Sequence, residues 1–196
     1  MTLRRWSNRM TFLACLGAMF VQTIPHAFAE TIEETAAVCS GCHGEKGIPT
    51  EKNIPIIWGQ MEGYLYLQLR DLKKGARKNE IMSAIVADMD RDTMAALASY
   101  FAAKPWPALG QPSASDKDAG TAQTANSSVG CSGCHLDQYQ GTGTAPRLAG
   151  QNHDYLIKTM TEFRTGERGN NPGMTSLMKA TSESDLAALA NYLAGF

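Results

Sequence analysis

Five residues occur twice in this chain, first as Cys39-Ser40-Gly41-Cys42-His43 and again as Cys131-Ser132-Gly133-Cys134-His135. C-x-x-C-H is the attachment signature of c-type haem. Each thiol adds across a haem vinyl group, and the adjacent histidine is held against the iron. The pattern constrains the fold because each half has to close around a large apolar group bound to its own cysteine side chains. Two copies imply two covalent haems and therefore redox chemistry.

The duplication extends past the pentapeptide. Cys39 and Cys131 are 92 residues apart, as are Met82 and Met174, and Tyr100 and Tyr192. Pro55/Pro146, Gly59-Gln60/Gly150-Gln151, Tyr64/Tyr155, Gly75/Gly166 and Arg77/Arg168 match at an offset of 91. One single-residue indel on each side of that block reconciles the offsets. A self-match this long predicts two copies of one structural unit, read as domains 30–102 and 119–196. Between them, residues 103–118 form a linker stiffened by Pro105, Pro107 and Pro112, with a polar stretch from Ser113 onward. Each half is small for an independent core, and a covalent haem is the staple such a unit needs.

Residues 1–29 read as a cleaved signal peptide. Arg4, Arg5 and Arg9 form a positive n-region, Met10–Val21 is a short apolar run, and Ala27-Phe28-Ala29 is an A-x-A cleavage site. Cys15 lies inside the apolar run and is read as a discarded signal residue. The mature chain then starts at Glu30 and is periplasmic. The net charge is −1, and loss of the three leader arginines takes it to −4. Nucleic-acid binders present basic faces, so that class is excluded. No apolar run after the leader is long enough for a transmembrane helix, which leaves only peripheral membrane association open.

The rest reads as short helices. Residues 30–40 lead into the first motif. Met61, Tyr64, Leu65, Leu69 and Leu72 recur at helical spacing before Gly75, and Tyr155, Leu156, Met160 and Phe163 repeat this before Gly166. Asp90 and Ser182 are N-cap candidates for the last helix of each unit, with Asp185 completing a capping box. The helix before the second motif, 119–130, is weakly written.

Haem iron takes four ligands from the porphyrin and a fifth from the motif histidine, His43 or His135. A thioether in the sixth position favours ferrous iron and keeps other molecules off the metal. The candidates are Met82 and Met174, expected on loops folding over the opposite haem face. Each follows its motif histidine by 39 residues. Met89 and Met94 have Thr181 and Leu186 as counterparts, and Met160 has Leu69, so these read as core. Rival readings of C-x-x-C require other contexts. A thioredoxin-like pair needs a βαβ setting, and zinc needs both motifs to meet at one metal. An exported disulfide pair would not account for the adjacent histidine.

These motifs together resemble the dihaem cytochrome c4 family. The resemblance covers nearly all of residues 30–196. It rests on the two Cys-Ser-Gly-Cys-His copies, Pro55…Gly59-Gln60 and Pro146…Gly150-Gln151, Tyr64…Gly75-x-Arg77 and Tyr155…Gly166-x-Arg168, the two methionine segments, and Leu97–Tyr100 with Leu189–Tyr192. It implies an all-α fold of two tandem class I cytochrome c-like domains, each wrapped around one covalent haem c. It also implies haem linkage through Cys39, Cys42, Cys131 and Cys134, and the axial pairs His43/Met82 and His135/Met174 on iron. The carbonyls of Pro55 and Pro146 would accept from the histidine Nδ1–H groups and fix the rings. Trp58 stands where the family tends to have a small residue, and it is expected near the first haem. The helix before the second motif lacks the usual aromatic.

The function implied is electron carriage between respiratory donors and a terminal oxidase or reductase, with no catalytic residue. The partners would be redox proteins, membrane-bound or periplasmic. One alternative is an electron-transfer subunit of a periplasmic dehydrogenase, of the flavocytochrome c sulfide dehydrogenase type. A dihaem peroxidase is disfavoured by the two matched methionines. The basic stretch Arg70–Lys78 suits docking to an acidic partner, although cations at a helix C-terminus explain it more simply. His153 reads as a surface residue.

Overall fold

The computed structural model describes Thr2 and residues 31–196. The remainder of the leader, with Cys15 and the cleavage site, lies outside the described residues. Among the described residues the fold is all-α: nine helices, and one isolated antiparallel bridge between Thr142 and Ala145. None of these helices is long and apolar enough to cross a membrane.

The first half contains α1 (Ile32–His43), α2 (Glu62–Lys73), α3 (Glu80–Val86) and α4 (Arg91–Ala102). Thr31 and Glu34 form a reciprocal capping box that starts α1. The helix then runs through the whole haem motif and stops at Gly44. Asp90 caps α4 as the sequence predicts, accepting from the Thr93 N–H at 2.7 Å. The second half contains α5 (Asp116–Val129), α6 (Ser132–His135), α7 (His153–Thr165), α8 (Pro172–Lys179) and α9 (Glu183–Ala194). Ser182 caps α9, with its Oγ 3.2 Å from the Asp185 N–H.

In each half the last helix is the hub. α4 packs on α1 and α2, while α9 packs on α5 and α7. Leu97 and Leu189 occupy the same repeat position, and each is 1% exposed. Burial of a leucine to that degree stabilises by about 2 kcal/mol. The smaller helices α3 and α8 lie against α2 and α7.

The structure differs from expectation in three places. The linker gives up its last residues, because Ser115 caps a helix that already begins at Asp116. That helix also takes up most of the stretch read as polar and flexible. Lacking an aromatic, α5 uses small residues instead: Ala122 and Ala125 are buried in the cluster that contains Leu189, Ala190 and Leu193 of α9. Asn191 Nδ2 donates to Asp118 Oδ2 at 3.1 Å and ties the two helices together. Finally, the methionine segments are not loops but helices. Each is only about two turns long, too short for apolar periodicity to reveal.

The turn after the first motif needs glycine. Gly44 has φ +87°, and a Cβ there would lie 1.9 Å from the Ile48 carbonyl oxygen. Gly41, inside α1, would place a Cβ in open space. Gly44→Ala is therefore expected to lower stability by about 2–3 kcal/mol. Gly41→Ala should raise it by about 0.5–1 kcal/mol through helix propensity. Thermal unfolding of the two purified variants checks this, and equal effects would contradict the assigned turn.

Candidate haem sites

Within α1, Cys39, Cys42 and His43 stand at i, i+3 and i+4, so both thiols and the imidazole share one helix face. In the second copy α5 ends at the left-handed Gly130, and α6 restarts the helix around Cys134 and His135. All four motif cysteines are free thiols. Cys39 and Cys131 are half-buried, each packed against the apolar cluster of its own half. Cys42 and Cys134 are exposed. Burial pushes the Cys39 and Cys131 thiols up, so they stay protonated near neutral pH.

Both motif histidines are buried, His43 to 7% and His135 to 5% exposure. His43 Nδ1 lies 2.8 Å from the Pro55 carbonyl oxygen, and His135 Nδ1 lies 2.8 Å from that of Pro146. A carbonyl only accepts, so Nδ1 carries the proton in both rings. Desolvation lowers both histidine pKa values, against the opposing pull of the proline carbonyl; for His43 the Arg77 charge adds to the lowering. The rings are therefore neutral at physiological pH, and Nε2 is left with a free lone pair. A neutral imidazole fixed in this way is a ready ligand for haem iron.

The two methionines also sit alike. Asn79 caps α3 and accepts from the Met82 N–H at 2.9 Å; Asn171 caps α8 and accepts from the Met174 N–H at 3.1 Å. Both are therefore third residues of asparagine-capped helices. Met94, Met160 and Met178 are buried in the core, and Met89 packs against the first cluster. The Asn79/Asn171 match, at the same offset of 92, was available in the sequence and would have predicted the helices.

The donor set fits haem c in both halves: two free thiols, one neutral fixed imidazole and one half-buried thioether. Two further observations agree. Trp58 joins Cys39 at the first apolar cluster, and its Nε1 is buried without a partner. Arg168 Nη1 is likewise buried and unpaired. Unmet donors of this kind suit a group that carries carboxylates. Zinc fits poorly, since among the described residues no three His, Cys, Asp or Glu side chains converge.

The glutamines after the prolines reach into the opposite half, although each Oε1 also accepts from the N–H of its own neighbour, Met61 or Asn152. Gln60 Nε2 donates to the Arg147 carbonyl at 2.9 Å, and the Arg147 N–H donates to Gln60 Oε1 at 2.7 Å. Reciprocally, Gln151 Nε2 donates to the Ile56 carbonyl at 3.0 Å, and the Ile56 N–H donates to Gln151 Oε1 at 2.8 Å. Gly59 and Gly150 precede these glutamines with φ +65° and +71°. Their N–H groups donate to the carbonyls of Phe101 and Leu193 on the hub helices.

A second layer crosses the same interface. Arg77 Nη2 donates to the Tyr155 hydroxyl at 3.4 Å, and Arg168 Nη2 donates to the Tyr64 hydroxyl at 3.3 Å. Arg77 and Arg168 both donate to Gln68 Oε1, at 3.1 and 2.7 Å. Desolvation opposes ionisation of Tyr155, but the two guanidiniums hold its hydroxyl well below the ordinary tyrosine value. Burial and the neighbouring Tyr155 push Tyr64 up. The sequence shows these arginines and tyrosines as repeat markers, the tyrosines as helix positions and Arg77 as part of the basic stretch, but does not reveal that they meet across the interface. Nor does it reveal the edge-on cluster of Tyr139, Tyr192 and Phe196, which brings aromatic packing to the second half.

The basic stretch Arg70–Lys78, which begins in the last turn of α2, is largely engaged. Arg70 pairs with Asp71 at 2.8 Å, Lys73 Nζ donates to the Met89 carbonyl at 2.6 Å, and Arg77 turns to the interface. Lys74 and Lys78 remain exposed. His153 begins α7 and pairs with Asp154 at 2.8 Å, as a surface histidine would.

The Cytochrome c family profile matches residues 112–195. Cytochrome c4 from Azotobacter vinelandii is 32% identical, over 95% of this chain and 97% of its own. The chain belongs to the cytochrome c4 family. Its fold matches the crystal structure of reduced recombinant cytochrome c4 from Pseudomonas stutzeri at a TM-score of 0.74, with 28% identity, over 85% of this chain and 99% of that one, and the cytochrome c4 structure from Acidithiobacillus ferrooxidans at the same TM-score and identity, over 82% and 99%. A protein described as a thiosulfate dehydrogenase electron acceptor, from Stutzerimonas stutzeri, is 32% identical over 81% of this chain and 79% of its own. The chain is thus a periplasmic electron carrier of the cytochrome c4 type rather than an enzyme, and membership implies covalently bound c-type haem.

Arg168 is 3% exposed and lies over the Phe163 ring at 4.5 Å. Its loss would take a donor from the Tyr64 hydroxyl and from Asn170 Oδ1, and would leave Gln68 Oε1 only its bonds from Arg77 and Asn170. Arg168→Ala is expected to cost about 2–3 kcal/mol in urea unfolding of the holoprotein. A change below about 0.5 kcal/mol would mean the second layer contributes little.

Proposed function

We propose that each half of the chain holds one covalent haem c and that the protein passes single electrons between redox proteins. In the first domain Cys39 and Cys42 carry the thioether links, and His43 and Met82 are the axial ligands of the iron. In the second domain Cys131, Cys134, His135 and Met174 take the same roles. Pro55 and Pro146 orient the two imidazoles. The observation that carries the reading is the matched pair of sites: a buried neutral imidazole fixed at Nδ1, and a methionine presented by an asparagine-capped helix. Bound haem supplies one-electron chemistry at its iron, with histidine and methionine setting the potential. The protein residues exclude water, hold the ligands and fix the separation of the sites.

The domains that accompany this reading are 30–102 and 119–196, joined by residues 103–118, with residues 1–29 removed on export. The donor is a membrane or periplasmic redox protein, and the acceptor is a terminal oxidase or reductase. A second reading, as the acceptor for a periplasmic dehydrogenase, is supported by the thiosulfate dehydrogenase electron acceptor among the relatives. Identifying the flavin or haem protein that copurifies with the native chain separates the two.

Mass spectrometry of the native protein should give the chain from Glu30 plus two haems that resist acid–acetone extraction. One haem or none would refute the reading. Met82→Ala and Met174→Ala should each remove about half of the weak far-red charge-transfer band of ferric methionine-ligated haem. Each should also lower the potential of one haem and admit carbon monoxide to it. Met89→Leu should do none of these things; loss of the band in Met89→Leu with retention in Met82→Ala would overturn the ligand assignment.

A further inference from the structure

The Pro55 carbonyl and the Ile56 N–H belong to one peptide group. The carbonyl receives the His43 Nδ1–H at 2.8 Å, and the N–H donates to Gln151 Oε1 at 2.8 Å. The same chain of bonds runs in the other direction. His135 Nδ1 donates to Pro146, and the N–H at the far end of that peptide, on Arg147, donates to Gln60 Oε1 at 2.7 Å. Each motif histidine is thus joined, through a single planar peptide, to a glutamine of the other half. The peptide plane is stiff, so gripping its N–H fixes the direction of its carbonyl. An amide whose N–H is engaged is also polarised into a stronger acceptor. A stronger acceptor at Nδ1 makes the imidazole a more basic ligand.

The two directions are not equal. Asn152 Nδ2 also donates to the carbonyls of Glu51 at 3.3 Å and Ile54 at 3.2 Å, just before Pro55. Its repeat counterpart is Met61, which has no amide to return the contact. Gln151 itself is 2% exposed and Gln60 is 3% exposed, so water does not compete for these bonds.

We infer that Gln60, Gln151 and Asn152 are positioning residues that act across the domain interface, each tuning the haem ligand of the opposite domain. The inference rests on the assignment of His43 and His135 as iron ligands. Removing a glutamine amide weakens the carbonyl as an acceptor, makes the opposite imidazole less basic and raises the potential of the opposite haem. The first haem depends more on the second domain than the second haem depends on the first.

Gln151→Met and Gln60→Met keep the side-chain length and remove the amide. The test is a redox titration of each holoprotein, with the two haems told apart by paramagnetic NMR. Gln151→Met is expected to raise the potential of the first haem and move the His43 Nδ1–H resonance, leaving the second haem in place. Gln60→Met should do the reverse. Asn152→Met removes only the two longer bonds and should shift the first haem alone, in the same direction and by less. It serves as the milder variant if a glutamine replacement fails to fold. Shifts confined to the haem of the mutated domain, equal shifts at both haems, or no shift would each overturn the inference. Wild-type protein without two haems would instead overturn the haem assignment, so the two failures are distinguishable.

Discussion

Both sites depend on the bond from a buried histidine to a proline carbonyl. Burial alone would leave the ring free to choose its tautomer and to rotate, and would leave a polar N–H unmet at a cost of about 1–3 kcal/mol. The carbonyl settles all three matters together: proton on Nδ1, lone pair on Nε2, ring plane fixed. Proline suits the position because its fixed φ stiffens the loop that must bring the carbonyl back over the ring. That loop crosses from the motif helix to the interface, so the position of the imidazole is decided partly by how the domains meet. Gln60 and Gln151 lie at that meeting point, and each turns away from its own half at a glycine with positive φ.

The two halves reach the same site with different packing, which separates what the site demands from what the scaffold happens to use. After His43 the chain turns at Gly44. After His135 it turns at Leu136, with φ +66°, a conformation that glycine adopts without strain and leucine does not. The first half fills the space beside its motif with Trp58, and a Cβ on Gly47 would fall 2.6 Å from that indole. The second half has Ala149 at the matching position and packs Tyr139 against Tyr192 and Phe196 instead. α1 carries its motif unbroken, whereas α5 stops and α6 restarts. Common to both are the thiols, the histidine, the proline carbonyl, the capped methionine and the crossing glutamine.

The sequence made legible what is repeated and chemically distinctive. The motif pair, the offsets, the hub helices and the caps at Asp90 and Ser182 all follow from local rules. The methionine choice came from comparing one half with the other, and the structure places both residues alike. Local rules failed where partners are distant in sequence. Nothing near Gln151 announces Ile56, 95 positions away. Nothing near Arg77 announces Tyr155. The helices carrying Met82 and Met174 are too short for a periodic signal, although their asparagine caps were a usable one. α5 was underread because its buried face is alanine, which has helix propensity but little contrast in hydrophobicity. It becomes a core helix only because α9 offers a close-fitting surface.

The chemistry of the interface bears on how a carrier with two centres can work. The contacts across it are mostly neutral amides, backbone groups and hydroxyls, with the two arginines directed to tyrosines and Gln68 rather than to carboxylates. Bonds of this kind are buried and change little with ionic strength. Exposed charges such as Lys74 and Lys78 are screened within about 8–10 Å at ordinary salt. Encounters with a charged redox partner are steered by such surface charge and weaken as salt rises. The spacing of the two centres is then insensitive to the conditions that regulate docking. A buried polar seam, whose charged groups Arg77, Arg168 and Asp71 bond to neutral partners across it, allows the outer surface to form brief, salt-dependent encounters while the internal geometry stays fixed. An interface held by ion pairs would have tied the two together.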